Sequence, residues 1–242
     1  MTPDYGSFSF LDIQELKKIV RHIYKNRFSD VDKIASLGLE PVDRLFGMGR
    51  GKPVDRKYIE DFLSINQEMI KGTVMEIADD TYIKKFGGDK ISDKIILHVK
   101  GWGKNAIKGN FETGEGIKEN MVDCLICTQT LQYIFDLKSA VRNIYKMIKP
   151  GGYVLLTVPG IKLLSTDDDE NWGEKWSFTE KSVRGLFEPV FGRENCDIKA
   201  YGNAKIATAY LYGICCEELN EEDFTYNDKQ FPFLITGVIR KN

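Results

Sequence analysis

Two histidines in 242 residues leave little from which to build a transition-metal centre, and neither His22 nor His98 lies near a cysteine cluster. Five cysteines, Cys124, Cys127, Cys196, Cys215 and Cys216, are an odd number, which argues against a complete disulfide framework. Cys124 and Cys127 read as CxxC, but they sit in an apolar run, Asp123–Thr128, that looks like a buried strand. Residues three apart on a strand point to opposite faces, so a zinc or redox role is disfavoured. The chain has no excess of positive charge: 34 Lys and Arg against 36 Asp and Glu give a net −2, which argues against a nucleic-acid backbone as the main partner. No run approaches the roughly 18 apolar residues of a membrane span. The first residues, MTPDYGSFSF, lack a basic stretch followed by an apolar one, so the expected location is the cytoplasm. No internal repeat or low-complexity segment is visible.

What is present suits a globular α/β protein. A chain of this length fits one large domain or two small ones and buries roughly 70–75% of its unfolded surface without staples. Residues 11–26 place Ile13, Leu16, Ile19, Val20 and Ile23 on one face at helical spacing, predicting a surface helix that could serve an interface. A glycine-containing loop, Phe46–Pro53, precedes a second helix near Val54–Asn66, with Pro53 at its start. From Thr73 the rhythm changes. Strand candidates are Thr73–Ile77, Lys94–Val99, Asn105–Asn110, Met121–Thr128, Gly152–Val158, Cys196–Tyr201 and Phe233–Ile239. Helical stretches separate several of them, most clearly Leu137–Ile148, and Ala204–Leu219 lies between the last two. Strands alternating with helices predict a mostly parallel sheet covered on both faces. Ligands in such sheets bind beyond the carboxyl ends of the strands, where strand order reverses.

The first strand runs into Glu76-Ile77-Ala78-Asp79-Asp80-Thr81-Tyr82. A dinucleotide-binding turn would need GxGxxG here, and two carboxylates stand where a phosphate would be repelled. This argues against NAD, FAD and ATP and favours a cationic or neutral ligand. The plainer alternative is that Asp79 or Asp80 caps the next helix. Further on, Asp123–Pro159 runs strand, polar turn, helix, Lys149-Pro150-Gly151-Gly152, strand. Lys-Pro-Gly-Gly by itself is a helix stop.

Together these segments resemble class I S-adenosylmethionine-dependent methyltransferases over roughly Thr73–Ile239, most specifically in Asp123–Pro159. Glu76-Ile77-Ala78 is similar to a worn E-x-G-x-G cofactor turn. The Arg50–Glu60 string and Leu186–Phe191 resemble a bacterial subgroup associated with surface-polysaccharide (capsule or glycan) biosynthesis. The resemblance implies a seven-stranded Rossmann-like sheet with its last strand antiparallel. It divides the chain into an N-terminal helical extension or lid, 1–71, and the methyltransferase domain, 72–242.

The same resemblance assigns cofactor roles to individual residues. Glu76 opens the turn. Ala78 stands against the methionine part of the cofactor, and Asp79 and Asp80 face its cationic groups. His98 replaces the acidic residue that usually holds the ribose; the alternative is a satisfied buried histidine. Asn110 pairs with the adenine amino group through its carbonyl, Phe111 covers the ring, and Thr128, Gln129 and Thr130 follow the fourth strand where cofactor and acceptor meet. Arg56 and Tyr58 fold over from the extension, Arg56 toward the cofactor carboxylate or, alternatively, toward Glu60.

Methyl transfer from a sulfonium is an in-line displacement that depends mainly on alignment, which can supply roughly 7–11 kcal/mol. A hydroxyl acceptor also benefits from a base, and Asp169 is the candidate. Trp172, Trp176, Tyr201 and Asn203 are candidates to line a glycan-related acceptor, and Arg50 and Lys52 to meet a phosphate on it. Two readings compete with an enzyme of this type: a methyltransferase-like fold that binds cofactor or a partner without catalysis, and a nucleotide-sugar-modifying enzyme, which Asp79 and Asp80 disfavour.

Overall fold

The computed structural model describes residues 17–18, 37–101 and 106–242. The helix expected at 11–26 lies outside the described residues apart from Lys17 and Lys18, which are helical. Two compact units are distinguished, Met1–Glu40 and Pro41–Asn242. The larger unit begins at Pro41, and residues 54–65 share a core with the sheet.

Seven strands form one sheet: β1 Gly72–Ile77, β2 Ile91–His98, β3 Ala106–Lys108, β4 Val122–Thr128, β5 Ile148–Pro159, β6 Cys196–Tyr201 and β7 Leu234–Arg240. Their spatial order is β3-β2-β1-β4-β5-β7-β6. The first five pair in parallel, and β7 runs antiparallel between β5 and β6. This is the mixed α/β sheet expected. Strand order reverses between β1 and β4, which opens a crevice past Ile77 and Thr128.

Seven α-helices accompany the strands among the described residues: α1 Val54–Ile65, α2 Thr81–Phe86, α3 Leu137–Met147, α4 Thr166–Trp172, α5 Glu180–Phe191, α6 Ala204–Tyr212 and α7 Glu221–Thr225. Strand alternation splits the core in two. Val74, Cys124, Ile126 and Leu155 join α1, α2 and α6 in one cluster, while Met75, Leu125, Cys127 and Leu156 join α3 and α5 in the other. Cys124 and Cys127 thus belong to opposite layers, as their spacing dictates, and burial pushes both thiols up. No helix among the described residues is long and apolar enough to cross a membrane.

Several boundaries differ from the sequence reading: β2 begins at Ile91 rather than Lys94. β5 starts at Ile148 rather than Gly152, because Pro150 and Gly151 form an irregularity inside the strand instead of a turn before it. β3 is only three residues long. α6 stops at Tyr212 rather than Leu219, because Gly213 takes the left-handed conformation at φ 69°. The segment that follows Pro41 lies against this helix end: the Val42 and Asp43 N–H groups donate to Tyr212 O, and a Cβ on Gly213 would stand 2.0 Å from Asp43 O. Gly213→Ala should therefore destabilise the protein by at least the roughly 1–2 kcal/mol of a left-handed non-glycine residue, a loss readable as a lower urea midpoint at unchanged slope.

Candidate active site

Glu76, the penultimate residue of β1, is 3% exposed. One of its oxygens accepts from the Tyr82 N–H at 3.0 Å and the other from the Ile83 N–H at 2.8 Å. Both bonds are to the first turn of α2. The N-terminus of a helix ordinarily offers these groups to an anion; here the protein's own carboxylate takes them. Burial is the main cause that raises the Glu76 pKa to about 7, with Asp79 and Asp80 adding to it against the two N–H groups.

Between strand and helix the chain bends. Ala78 adopts φ 72° and its N–H donates to Leu97 O at 2.9 Å. Asp79 accepts from the Thr81 N–H at 2.8 Å. Asp80 occupies the N-cap position of α2 without making a side-chain cap bond. It pairs instead with Lys84 at 2.7 Å and Lys94 at 2.6 Å. The capping expected of Asp79 or Asp80 is thus performed largely by Glu76.

A cavity of about 890 Å³ lies over this bend, at the point where strand order reverses. Such a volume lies within the roughly 300–1,000 Å³ usual for small-molecule sites. Glu76, Ala78, Asp79, His98, Asn110 and Phe111 line it from the ends of β1, β2 and β3. His98 Nδ1 accepts from the Lys100 N–H at 3.1 Å, which leaves the ring proton of the neutral imidazole on Nε2. Its ring meets Trp172 edge-on at 5.5 Å, and the Lys100 ammonium lies 4.5 Å from the same indole. Asn110 differs from expectation. Its carbonyl oxygen already accepts from the Glu112 and Thr113 N–H groups at 2.7 and 3.3 Å, so its amide NH₂, not its carbonyl, remains to meet a ligand.

The other wall comes from beyond β4 and β5. Thr128, Gln129 and Thr130 line it, with Gln129 at φ 46° and its N–H on Thr157 O. Gln132 is 3% exposed; its NH₂ donates to Gln129 O at 2.9 Å, while its Oε1 has no donor among the described residues. From the segment after β5 come Lys162, Asp168, Trp172 and Glu174, and from α1 come Asp55 and Arg56. Lys162 and Glu174 form an ion pair with both side chains less than a tenth exposed, and burial holds the Lys162 pKa below its usual value. Arg56 Nη1 donates to the Tyr82 hydroxyl at 2.8 Å. Burial works against the Arg56 charge, yet Tyr82, Asp55 and Asp79 around it keep its pKa above the ordinary value.

Residues 54–193 match the family model described as "Methyltransferase domain". The chain belongs to this methyltransferase family. S-adenosylmethionine is the cofactor expected from the sequence for a member of this family. Among curated proteins, it is 24% identical over 114 residues to a probable polyketide synthase 10 of Dictyostelium discoideum; the match takes in 45% of this chain and 4% of that much longer one. Among solved structures, similarity extends to a SAM-dependent methyltransferase from Archaeoglobus fulgidus at 13% identity, with 77% of this chain and 94% of that one covered and a TM-score of 0.49. The N-methyltransferase NodS from Bradyrhizobium japonicum, in complex with S-adenosyl-L-homocysteine, is 12% identical over 79% of this chain and 89% of that one, also with a TM-score of 0.49.

The cavity's chemistry fits the methyltransferase cofactor. Its bend is acidic, as a cationic ligand requires, and the helix N-terminus that would suit a phosphate is already filled by Glu76. Arg56 is a guanidinium on the same wall, suited to a carboxylate.

Several residues singled out in the sequence lie off this wall. Tyr58 is buried among Tyr201, Phe224 and Phe233, its hydroxyl turned to Phe224 O. Tyr201 is half-buried in the same group, and Asn203 is spent capping α6 and holding Asp223 O and Tyr226 O. Arg50 pairs with Glu218 and Lys52 with Glu60, which also replaces the Arg56–Glu60 pair considered from spacing. Asp169 is exposed and accepts from the Glu174 N–H at 2.8 Å, whereas its neighbour Asp168 lines the cavity. Trp176 donates to Ile134 O and packs on Phe135, so Trp172 alone of the two tryptophans reaches the cavity. Sequence reading passed over Asp55, Gln132, Lys162 and Glu174; the available signal was position, since Gln132 and Lys162 closely follow strand ends.

The Glu76 pKa sets a pH dependence. Its folded value, about 7, lies above the ordinary 4.5, so the folded state binds the extra proton between them. Its contribution to stability is full below about pH 4.5 and is lost as pH rises to 7 and beyond. Relative to Glu76→Gln, the wild type should lose on the order of 2 kcal/mol between pH 5 and 8 in denaturant titrations.

Proposed function

We propose that the cavity binds S-adenosylmethionine across the bend behind β1 and presents its methyl group to a small acceptor entering between α1 and the segment after β5. The observation that carries this reading is the filled helix N-terminus beside an acidic bend, which suits a cation and rejects a phosphate. When bound, the cofactor supplies an electrophilic methyl group on a positively charged sulfur.

The chain's own residues bind and orient. Asp79 faces the cationic amino group, and Arg56 takes the carboxylate of the methionine part. Ala78, with its small side chain, lets that part lie close to the bend. His98 donates from Nε2 to a ribose hydroxyl. Asn110 donates its amide NH₂ to an adenine ring nitrogen, with Phe111 under the ring. Thr128, Gln129 and Thr130 form the floor at the methyl group, and Trp172 shields it from water. Glu76 positions the bend rather than touching the cofactor, and Asp80 holds the bend to β2 through Lys94.

The hydroxyl of a glycan-related acceptor, in capsule or surface-polysaccharide modification, was the finer expectation from sequence. Its support is now narrower, since Arg50, Lys52, Trp176, Tyr201, Asn203 and the candidate base Asp169 lie off the cavity and Trp172 alone remains. The reading keeps methyl transfer to a small molecule and the cytoplasmic location expected from the sequence.

Titration calorimetry with S-adenosylmethionine and S-adenosylhomocysteine tests the assignment. Both should bind, and NAD and FAD should give no heat. Asp79→Ala or Arg56→Ala should each weaken binding about tenfold or more, the loss of one charge-assisted contact. Asp89→Ala, at an exposed site away from the cavity, should leave binding unchanged. Equal effects of Asp79→Ala and Asp89→Ala contradict the assignment.

A further inference from the structure

Four non-glycine residues take the left-handed conformation among the described residues, and three of them, Phe46 at φ 60°, Ala78 and Gln129, line the cavity. Backbone of this kind is uncommon for a bulky side chain and concentrates at functional sites. Ala78 and Gln129 have places in the cofactor reading. Phe46 has none.

Phe46 is held by a turn built onto the end of α6. The Val42 and Asp43 N–H groups donate to Tyr212 O, and the Met48 N–H donates to Leu45 O at 2.9 Å. The Asp43 carboxylate accepts from the Leu45 N–H at 2.6 Å and from the Gly49 N–H at 3.3 Å. Gly47 lies so close to this helix end that a Cβ on it would stand 2.9 Å from Gly213 O. So placed, Phe46 stacks on Tyr210, with centroids 5.5 Å apart and the rings 29° from parallel. Phe233 meets the same tyrosine ring edge-on at 4.9 Å. Leu163, from the segment after β5, packs on the same cluster and also lines the cavity, as does Met48 from the turn. Phe46, Met48, Leu163 and Tyr210 thus give the acceptor side an apolar, aromatic wall.

A second, independent observation places one polar group on that wall. Tyr210 is 7% exposed and lines the cavity. Its hydroxyl has no hydrogen-bond partner among the described residues, yet it is not one of the polar atoms sealed from solvent, so it opens on the cavity. Burial pushes its pKa up, so the phenol keeps its proton and can donate. A largely buried hydroxyl without a partner has lost its water, and a ligand oxygen restores the missing bond. A sugar, with hydroxyls on every edge, needs several free polar groups. The lysines after β5 are spent within the protein: Lys162 on Glu174, and Lys175 on Tyr133 O, Trp172 O and Gly173 O.

We propose that the methyl acceptor is an aromatic molecule bearing an oxygen substituent, its ring packed against Phe46 and its oxygen hydrogen-bonded to the Tyr210 hydroxyl. Ring contacts supply affinity beyond the area they bury, and a single placed polar group sets orientation. This rests on the cofactor reading above and extends it to the class of acceptor.

Saturation-transfer NMR on protein loaded with S-adenosylhomocysteine tests the proposal with three probes: p-cresol, toluene and methyl α-D-glucopyranoside. The cresol should bind about tenfold more tightly than the glucoside and about fivefold more tightly than toluene, the worth of one hydrogen bond. Tyr210→Phe removes only the hydroxyl. It should bring the cresol to the affinity of toluene and leave toluene unchanged, whereas a general loss of structure would move both. Phe46→Leu, or Phe46→Met if the first does not fold, should weaken cresol and toluene alike, by about threefold or more. Each variant should bind S-adenosylhomocysteine as the wild type does. Glucoside binding as tight as that of the cresol, no cresol binding at millimolar concentration, or a cresol affinity indifferent to either substitution overturns the proposal and leaves the cofactor reading standing. Loss of S-adenosylhomocysteine binding in Tyr210→Phe assigns the hydroxyl to the cofactor and overturns it as well. Failure of the wild type to bind S-adenosylhomocysteine overturns both readings.

Discussion

One buried carboxylate holds the two first-turn N–H groups of α2, and the chemistry of the cavity follows from that arrangement. Helix N-termini in sheets of this kind normally serve phosphates. With Glu76 in that place, the helix dipole is satisfied from within and the ligand meets negative charge. The same two bonds fix the distance between β1 and α2, so the intervening bend has one course: Ala78 in the left-handed region, Asp79 toward the cavity, Asp80 toward Lys84 and Lys94. Its partial protonation near neutral pH follows from holding a carboxylate in the core.

Around that bend the sheet divides the work. β1, β2 and β3 supply a fixed wall whose polar groups are already oriented by short local bonds, as at Asn110 and His98. The opposite wall is assembled from segments distant in sequence, α1 and the stretch after β5, and tied together by ion pairs and ring contacts such as Lys162–Glu174 and His98–Trp172. Trp172 reaches across from one wall to the other. In the proposed reading the sheet fixes the cofactor and the loops select the acceptor, the usual division where loops carry specificity on a rigid scaffold.

Much of the sheet was legible because the buried parallel strands β1 and β4 read as apolar runs, and the antiparallel β6 and β7 likewise fell within a residue or two of their expected places. The absence of GxGxxG after β1 was informative in itself. Contacts between distant segments were not legible. Asp79 and Asp80 are neighbours of one type, yet Lys94 on β2 draws one of them away from the cavity. Asp169 was the candidate base, but its neighbour Asp168, about 100° away around α4, is the one that lines the cavity. Tyr58 lies two residues from Arg56 on α1, so the helix turns it to the core while Arg56 looks into the cavity. The Lys162–Glu174 pair joins residues twelve apart across a helix, and no periodicity announces it.

The most direct test of the central claim is a crystal structure of the protein with S-adenosylhomocysteine. The account predicts the ligand's amino group at Asp79, its carboxylate at Arg56, and Glu76 still bonded to the Tyr82 and Ile83 N–H groups. A ligand bound away from the bend, or one whose carboxylate displaces Glu76 from the start of α2, would contradict it.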